Sequence, residues 1–394
     1  MMSQRLKIVE VAYNWPAETF IQRHVQALQS QGLYVQLIVR HQATGSITTG
    51  SLGTAERDID AKILPNFNHL NWVGKLISLR FLTYRSIHVP QPGVGDKVLL
   101  GYFEHLKPDL IHFHDATLAV SMRWIPQALG IPYTLSLRGS DIQIFPLSSS
   151  AQKDATIAAI VSATKVHVVC QALGRAAAAM LGHDRDFSVI YTTLPIPSVL
   201  PYWRGISNET PIHFVSTGRL VWMKGFDNLL IALHSLCAGG LDVRLTIAGM
   251  GPDLERLLYL RKVLDLEEVV NFPGKLTSVE IRRLLQNAHA YIQASVSEGL
   301  SNSLVEAMAN GLPVFATDIG GTNEVIEEGV SGFLLPPFAP YEWVDKLLYV
   351  RNRDLIEQVR LSAYEKALQY FSTERHSAAF ESFFKTAVLP QNWQ

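Results

Sequence analysis

The stretch "SEGLSNSLVEAMANGLPVFATD", from Ser297 to Asp318, predicts a loop, a helix and a strand in direct succession. Polar residues 301–303 are candidates for the N-cap of the helix, and Gly311 before Pro313 is typical of a helix end. Glu298 and Glu306 lie on either side of the helix start. Because the first amides of a helix attract anions, the stretch predicts an anion site between two carboxylates.

The same alternation of strand and helix extends along the chain in both directions. Apolar runs such as "LKIVEVAY" and "PYTLSLRG" come before a proline-rich stretch at 194–211, and the pattern restarts with "IHFVSTG" and "VRLTIAGMG". Such runs predict parallel sheets covered on both faces. We therefore expect an α/β fold of two Rossmann-like, doubly wound domains facing one another across a cleft. The expected parts are residues 1–195, a linker at 196–211, residues 212–370, and a C-terminal helix at 371–394 that can cross back to the first domain.

The composition excludes several classes of protein. With 394 residues and 48% apolar content, the chain is long enough for two or more domains of about 150 residues. A net charge of -1 gives no general attraction to nucleic acid, which we exclude as a partner. No window holds the roughly 18 apolar residues of a membrane span, and two distant cysteines indicate buried thiols in a reducing compartment. We expect a cytoplasmic protein.

The segment 61–89 is basic and aromatic. It contains Lys62, Lys75, Arg80 and Arg85, and it has no acidic residue. A helix of this composition can rest on an anionic lipid surface, or it can pack its leucines into its own domain. The first interpretation places the protein peripherally at the inner face of the membrane, and both interpretations stay open.

Two cations follow a predicted strand in "TGRLVWMKGFDNLL". Arg219 and Lys224 come directly after Gly218, at the carboxyl end of "IHFVST". Two fixed positive charges can neutralise a diphosphate without a metal ion. A carboxylate beside an anion site is favourable if it accepts hydrogen bonds from ligand hydroxyls. Taken singly these are ordinary surface charges, but together they predict a nucleotide-sugar site.

Four motifs carry a resemblance to a known family. "GRLVWMKG", "IAGMGPDLERL", "FPGKL" and the long stretch that begins at Ser297 resemble the retaining glycosyltransferases of the GT-B fold, family 4 (glycosyl transferases group 1). In the first half, "PAETFIQRHVQAL" resembles enzymes that build bacterial exopolysaccharide and lipopolysaccharide. The resemblance implies metal-independent transfer of a sugar from a UDP- or GDP-sugar to a glycan or lipid-linked acceptor. It also implies retention by front-face attack.

The resemblance also implies roles for individual residues. It places the donor diphosphate at Arg219 and Lys224, the transferred sugar at Glu298 and the ribose at Glu306. Further expected donor contacts are Gly299, Leu300, Ser301, Asn302, Lys275, Leu276, and the glycines of close approach, Gly249 and Gly251. The residues expected on the acceptor side are Glu18, Thr19, His114 and Asp141.

One position departs from the family pattern. Where the family commonly has a histidine before Gly and Asp, this chain has Arg138, followed by Gly139, Ser140 and Asp141. A guanidinium stays protonated, so Arg138 cannot act as a base. We count it in the catalytic set with Glu298, Arg219 and Lys224, in contact with a phosphate or the donor sugar.

Other signals point to different chemistry and are weaker. We expect His112 and His114 in "DLIHFHD" to point to opposite faces of their strand, and a packed histidine is the competing interpretation of each. The triplet Asp58–Asp60 resembles a metal motif without its usual context, and the histidine and cysteine spacings give no zinc site, so no metal or other cofactor is expected. The alternatives that stay open are a sugar-nucleotide epimerase on this scaffold and a non-catalytic nucleotide-sugar binding protein.

Overall fold

The computed structural model describes residues 6–15, 19–42, 61–63, 94–206 and 211–389. The strands of these residues fall into two sheets. The strands of the first sheet are β1 (Lys7–Trp15), β2 (Tyr34–Gln42), β3 (Ala61–Ile63), β4 (Leu110–Phe113), β5 (Tyr133–Leu137), β6 (Lys165–Val168) and β7 (Phe187–Val189). The strands of the second sheet are β8 (Ile212–Thr217), β9 (Val243–Ala248), β10 (Val270–Gly274), β11 (Ala290–Gln293), β12 (Val314–Thr317) and β13 (Phe333–Leu335).

Helices alternate with most of these strands. The α-helices of the described residues are α1 (Thr19–Ser30), α2 (Val94–Leu106), α3 (Ala116–Met122), α4 (Trp124–Leu129), α5 (Ser140–Gln143), α6 (Ser150–Ser162), α7 (Gln171–Leu181), α8 (Phe226–Ala238), α9 (Leu254–Val263), α10 (Ser278–Gln286), α11 (Asn302–Ala309), α12 (Thr322–Val325), α13 (Trp343–Leu347), α14 (Arg353–Phe371) and α15 (Thr373–Val388). Short 3-10 turns cover Phe145–Ser148, Trp222–Lys224, Pro340–Glu342 and Leu348–Arg351.

The first sheet has the strand order β3-β2-β1-β4-β5-β6-β7. The pairs β3–β2, β2–β1, β1–β4 and β4–β5 are parallel. Strands β4 and β5 are buried along their whole length, as their continuous apolar runs predict. Two buried polar residues, Glu10 and His112, nevertheless lie on neighbouring strands of this sheet and pair in register.

The second sheet has the order β10-β9-β8-β11-β12-β13, and every pair in it is parallel. From β8 the chain adds β9 and β10 on one side, and it then adds β11, β12 and β13 on the other. The direction of the strand order therefore reverses between β8 and β11. Open sheets of this kind bind ligands beyond the carboxyl ends of the strands at this reversal.

Two apolar cores cover the second sheet. One contains Trp343 and a stacked pair of rings, Phe315 and Phe333, whose centroids lie 4.8 Å apart. The other packs the apolar face of α11, including Leu304 and Met308, against the strands. With both faces covered, the polar ends of its strands remain as the place for a ligand.

The described residues form two compact units, each made of separate stretches of chain. The first contains the residues up to Leu137, Ala151–His167 and the residues from Ser377, and the second contains Arg138–Ser150 and Val168–His376. The expected division at residues 195, 211 and 370 stays a prediction. In the part of the chain that the structure describes, no helix is both long enough and apolar enough to span a bilayer.

Candidate functional site

Two loops at the reversal of the second sheet carry the predicted charges. Arg219 and Lys224 follow β8, and Glu298 follows β11, the neighbouring strand. The Lys224 ammonium and the Glu298 carboxylate form an ion pair, and the two side chains are 19% and 20% exposed. Arg219 is exposed. The structure therefore joins two residues to which we had assigned separate parts of a ligand.

The loop after β8 is locked to the loop after β11 through the backbone. The 3-10 turn at 222–224 ends at Gly225, which has a left-handed backbone with φ of 58°. A Cβ at Gly225 would lie 2.1 Å from the carbonyl oxygen of Ala294, so only glycine fits there. The amide of Val296 donates to the carbonyl of Met223 at 2.8 Å. These contacts hold Lys224 beside Glu298.

Gly249 and Gly251 are required by the backbone packing of the loop after β9. A Cβ at Gly249 would lie 1.8 Å from the carbonyl oxygen of Gly218, and one at Gly251 would lie 2.2 Å from that of Leu220. Both glycines therefore let the loop after β9 approach the backbone on either side of Arg219. Their expected approach to a ligand stays a prediction.

The loop that contains Glu298 is enclosed by neighbouring backbone. A Cβ at Gly299 would lie 2.2 Å from the carbonyl oxygen of Arg138. The carbonyl of Gly299 accepts from the amide of Gly321 at 2.7 Å and from the thiol of Cys170 at 3.2 Å. Burial raises the pKa of the Cys170 thiol to about 11, so the thiol remains a donor at neutral pH. Cys170 was not among the residues that the sequence predicted for this site.

Gln143 is a second contact that sequence reasoning missed. The Ser297 hydroxyl donates to its Oε1 at 2.9 Å, and its Nε2 donates to the carbonyl of Glu298 at 3.4 Å. A glutamine at the end of α5 carries no signal of this role in the sequence, because 154 residues separate it from Ser297. The structure thus connects the short helix after Arg138 to the Glu298 loop.

Arg138 is half-buried, and the backbone amides at this position donate to the Asp141 carboxylate. Asp141 accepts from the amide of Arg138 at 3.0 Å and from the amide of Gly139 at 2.8 Å. Its side chain is only 3% exposed. Asp141 therefore shapes the turn that carries Arg138, while its assignment to the acceptor side stays a prediction.

Helix α11 begins and ends where the sequence predicts. Ser301 is its N-cap, and the Ser301 hydroxyl accepts from the amide of Leu304 at 3.4 Å. Gly311 follows the helix with φ of 70°. Leu300, Asn302 and Glu306 are half-buried near the start of the helix, and Ser301 is buried. The cap satisfies one amide of the first turn within the chain.

Lys275 and Leu276 follow β10, the edge strand of the sheet, two strands away from β8. Lys275 is exposed and Leu276 is half-buried. They come directly before Thr277, whose side chain forms a capping box with Glu280 at the start of α10. Both therefore lie at the carboxyl end of a strand of this sheet, and their contact with a base stays a prediction.

At the end of β11, Gln293 has an unsatisfied side chain. It is 3% exposed, and within the described residues neither of its amide atoms has a hydrogen-bond partner. Buried amides are nearly always paired, so this one calls for a partner such as a water or a ligand. No sequence motif marks it.

Several predicted features fall on residues that the structure does not describe. Glu18, the triplet Asp58–Asp60 and residues 64–89 lie outside the described residues. Thr19 is the first residue of α1, and Ala61–Ile63 form β3. Contact of the segment 61–89 with a membrane stays a prediction.

The expectation that His112 and His114 face opposite ways is wrong, because residues two apart on a strand share a face. Their ring centroids lie 5.0 Å apart. His114 is 1% exposed, and its Nε2 lies 3.0 Å from the Glu10 carboxylate, so its contact with an acceptor stays a prediction that its burial does not favour. Burial raises the pKa of Glu10, but His24 and His114 outweigh this effect and hold that pKa well below its usual range. Burial and the nearby His114 lower the pKa of His112.

Comparisons with known proteins show similarity in sequence and in fold. Residues 203–367 match the family model described as glycosyl transferases group 1. A stretch of 184 residues is 32% identical to the colanic acid biosynthesis glycosyltransferase WcaL of Salmonella typhimurium, and it covers 45% of each chain. Over 298 residues, or 72% of each chain, the protein is 29% identical to the teichuronic acid biosynthesis glycosyltransferase TuaC of Bacillus subtilis. The match thus spans less than half of the WcaL protein.

Solved structures share the fold. The structure of Anabaena HepE in complex with UDP-glucose superimposes with a TM-score of 0.72, at 17% identity, and covers 97% of this chain and 100% of the other. This likeness confirms the predicted α/β fold class. WcaL and TuaC are both named as glycosyltransferases, which is the enzyme class that we predicted. The motifs, the match over residues 203–367 and the fold agree with one another: residues 203–367 are similar to the glycosyl transferases group 1 family, as the resemblance implied.

Proposed function

We propose that the protein is a retaining, metal-independent glycosyltransferase that moves a sugar from a UDP- or GDP-sugar to a glycan or lipid-linked acceptor. The observation that carries the proposal is the pairing of Lys224 with Glu298 at the reversal between β8 and β11, where sheets of this kind bind ligands. Relatives named for colanic acid and teichuronic acid biosynthesis support a place in the synthesis of bacterial surface polysaccharide.

The charges of the site suit a sugar diphosphate. Arg219 and Lys224 supply the positive charge that a diphosphate needs, and Arg219 can donate through two nitrogens at once. Glu298 is a carboxylate that accepts hydrogen bonds from sugar hydroxyls, and Glu306 has the same chemistry toward the ribose. The HepE structure that was solved with UDP-glucose supports a donor of this type.

In the proposed reaction the bond between the anomeric carbon and the phosphate oxygen breaks, and the acceptor hydroxyl oxygen bonds to the same face of that carbon. The leaving phosphate oxygen takes the proton of the acceptor. No side chain acts as a nucleophile in this scheme. Arg219 and Lys224 stabilise the negative charge that develops on the leaving diphosphate, which is the kind of preorganised electrostatic effect that lowers barriers most. Arg138 contacts a phosphate or the donor sugar.

A panel of nucleotide sugars tests the proposal. Each donor is first screened for an increase in the melting temperature of the protein, and the donors that bind are then incubated with and without glycan acceptors and analysed by mass. We expect slow hydrolysis of one donor and transfer of its sugar to an acceptor. Interconversion of sugars without an acceptor would instead indicate an epimerase, and stabilisation without any turnover would indicate a binding protein.

The assignment of Glu306 to the ribose has its own test. Glu306→Ala should weaken the binding of UDP or GDP by about 10- to 100-fold, because a hydrogen bond to a charged group contributes about 1.5–3 kcal/mol. Isothermal calorimetry measures this change. Glu365→Ala, which removes an exposed carboxylate from α14, is the matched control and should bind nucleotide normally. Unchanged affinity in Glu306→Ala would show that the ribose assignment is wrong.

A further inference from the structure

Three histidines and a glutamate meet in the interior of the first unit. They are Glu10 of β1, His24 of α1, and His112 and His114 at the end of β4, and each is at most 2% exposed. The ring centroids lie 5.0 Å apart for His112 and His114, 5.4 Å for His24 and His114, and 6.2 Å for His24 and His112. We call these four residues the histidine cluster.

The spacing of the rings is that of a metal site. Three imidazoles bound to one tetrahedral zinc ion, with Zn–N bonds of about 2.0–2.1 Å, place their ring centroids roughly 5 Å apart. Each of the three histidines offers one nitrogen, and these nitrogens lie within 4.8 Å of one another. Around zinc the ligand nitrogens would be roughly 3.3 Å apart, so small rotations of the rings would complete the site.

The groups around the histidines are of the kind that orient metal ligands. One carboxylate oxygen of Glu10 lies 2.8 Å from Nε2 of His24, and the other lies 3.0 Å from Nε2 of His114. The Nδ1 of His112 lies 2.8 Å from the Thr134 hydroxyl and its Nε2 lies 2.9 Å from the Ser136 hydroxyl, so a bond to the metal would replace one of these two hydrogen bonds. Histidines that bind metals usually direct their second ring nitrogen to a carboxylate or another polar group, which fixes the tautomer and the ring orientation.

The charge and the burial of Glu10 also favour a bound cation. A fully buried carboxylate is costly unless a positive charge lies close to it. Among the described residues, Glu10 pairs with His24 and His114, which are charged only if they are protonated. A divalent cation would supply the missing charge while the imidazoles stay neutral. Aromatic rings cover the cluster, with the Phe380 centroid 4.3 Å from that of His24 and the Phe384 centroid 5.2 Å from that of His112.

We propose that the three histidines of the histidine cluster bind one divalent transition-metal ion, with zinc the best match to three imidazole nitrogens and with Glu10 orienting His24 and His114. The ion would tie β1, α1 and β4 together beneath α15, so its role is structural and separate from the transfer reaction. Sequence spacing could not reveal it, because His24 of α1 is far in the chain from His112 and His114.

The first experiment measures metal in the full chain. The protein is prepared without a histidine tag, stripped with a chelator, and dialysed against a zinc buffer. We expect about one zinc per chain by mass spectrometry of the metal, and an increase in melting temperature of about 5 °C over the stripped protein. Less than about 0.1 zinc per chain, with a melting temperature that neither zinc nor chelator changes, would overturn the proposal. The cluster would then be a hydrogen-bonded network balanced by a protonated histidine.

The second experiment locates the ion. His24→Gln and His112→Gln should each lose the bound zinc and the zinc-dependent increase in melting temperature. His183→Gln, which replaces an exposed histidine, is the matched control and should keep both. Full zinc binding in His24→Gln and His112→Gln would place the ion elsewhere and would also contradict the proposal. If a variant does not fold, the zinc content of the unmodified chain still decides the question, and neither readout depends on sugar transfer.

Discussion

Lys224 and Glu298 are each other's counter-ions, and this pairing makes their contributions to activity interdependent. Lys224→Ala should lower kcat/KM for the donor about 100-fold, on the order of 3 kcal/mol, because it removes a preorganised charge from the leaving diphosphate. It also leaves the Glu298 carboxylate without its partner. The double variant Lys224→Ala with Glu298→Gln should therefore lose less activity than the product of the two single losses.

Steady-state kinetics of donor hydrolysis checks this prediction. Arg244→Ala, which removes an exposed cation from β9, should stay within about twofold of the unmodified protein and serves as the control. If the losses in the double variant were simply multiplicative, the two residues would act independently of each other. If Lys224→Ala were nearly as active as the unmodified protein, Lys224 would have no part in catalysis.

Cys170 makes the stability of the protein depend on alkaline pH. Burial raises the pKa of its thiol to about 11, from an ordinary value of 9.0, so the fold disfavours the thiolate. This effect is absent below pH 9, and it destabilises the fold progressively as the pH increases from about 9 to about 11. In urea unfolding at pH 8 and pH 10, Cys170→Ala should lose less stability between the two pH values than the unmodified protein.

The same thiol should react slowly with iodoacetamide at pH 8, because it is buried and protonated. Cys237→Ala leaves Cys170 as the sole cysteine and isolates the measurement. Labelling of the folded protein at the rate of the urea-unfolded chain would show that the thiol is accessible, and the hydrogen bond to Gly299 would then not hold in solution.

At the level of elements, the turn between β8 and α8 depends on a glycine. Gly225→Ala would place a Cβ 2.1 Å from the carbonyl of Ala294 in a left-handed backbone, so the loop with Lys224 must move away from Glu298. We expect a loss of about 1–3 kcal/mol in unfolding free energy together with a loss of activity. Gly101→Ala in α2 meets no atom within 4 Å and should be neutral or stabilising by up to about 1 kcal/mol.

Denaturant unfolding of the two variants compares them directly. Equal stability of Gly225→Ala and Gly101→Ala would show that the loop adapts and that Lys224 does not need this turn. Full activity of Gly225→Ala would have the same meaning.

Elements with local signals were predictable from the sequence, and contacts between distant elements were not. Helix α11 has its cap at Ser301 and its terminal glycine at Gly311, because both depend only on neighbouring residues. The contact of Gln143 with Ser297 links residues that are far apart in the chain, and no periodicity encodes it. The histidine cluster also links distant residues, and we had expected His112 and His114 to point to opposite faces of their strand, which hid their proximity.

For the whole molecule, the alternation of strands and helices was sufficient to predict two parallel sheets, and the motifs were sufficient to predict the family of residues 203–367. The place of residues 138–150 in the second unit could not be predicted, because it depends on which distant stretches pack together. Residues 138–150 belong to the second unit although they lie within the first half of the chain. The roles of the site residues depend on a ligand and remain predictions.

Because the residues from Ser377 belong to the same unit as β1 and β4, the ribosome must synthesise the second unit before the first unit can be completed. A nascent chain exposes the surface around His24 and His112 until Phe380 and Phe384 have been synthesised and have left the exit tunnel. During translation the first-made strands therefore depend on solubility of their own or on a chaperone, and a premature stop codon shortly before Phe380 would uncover them permanently.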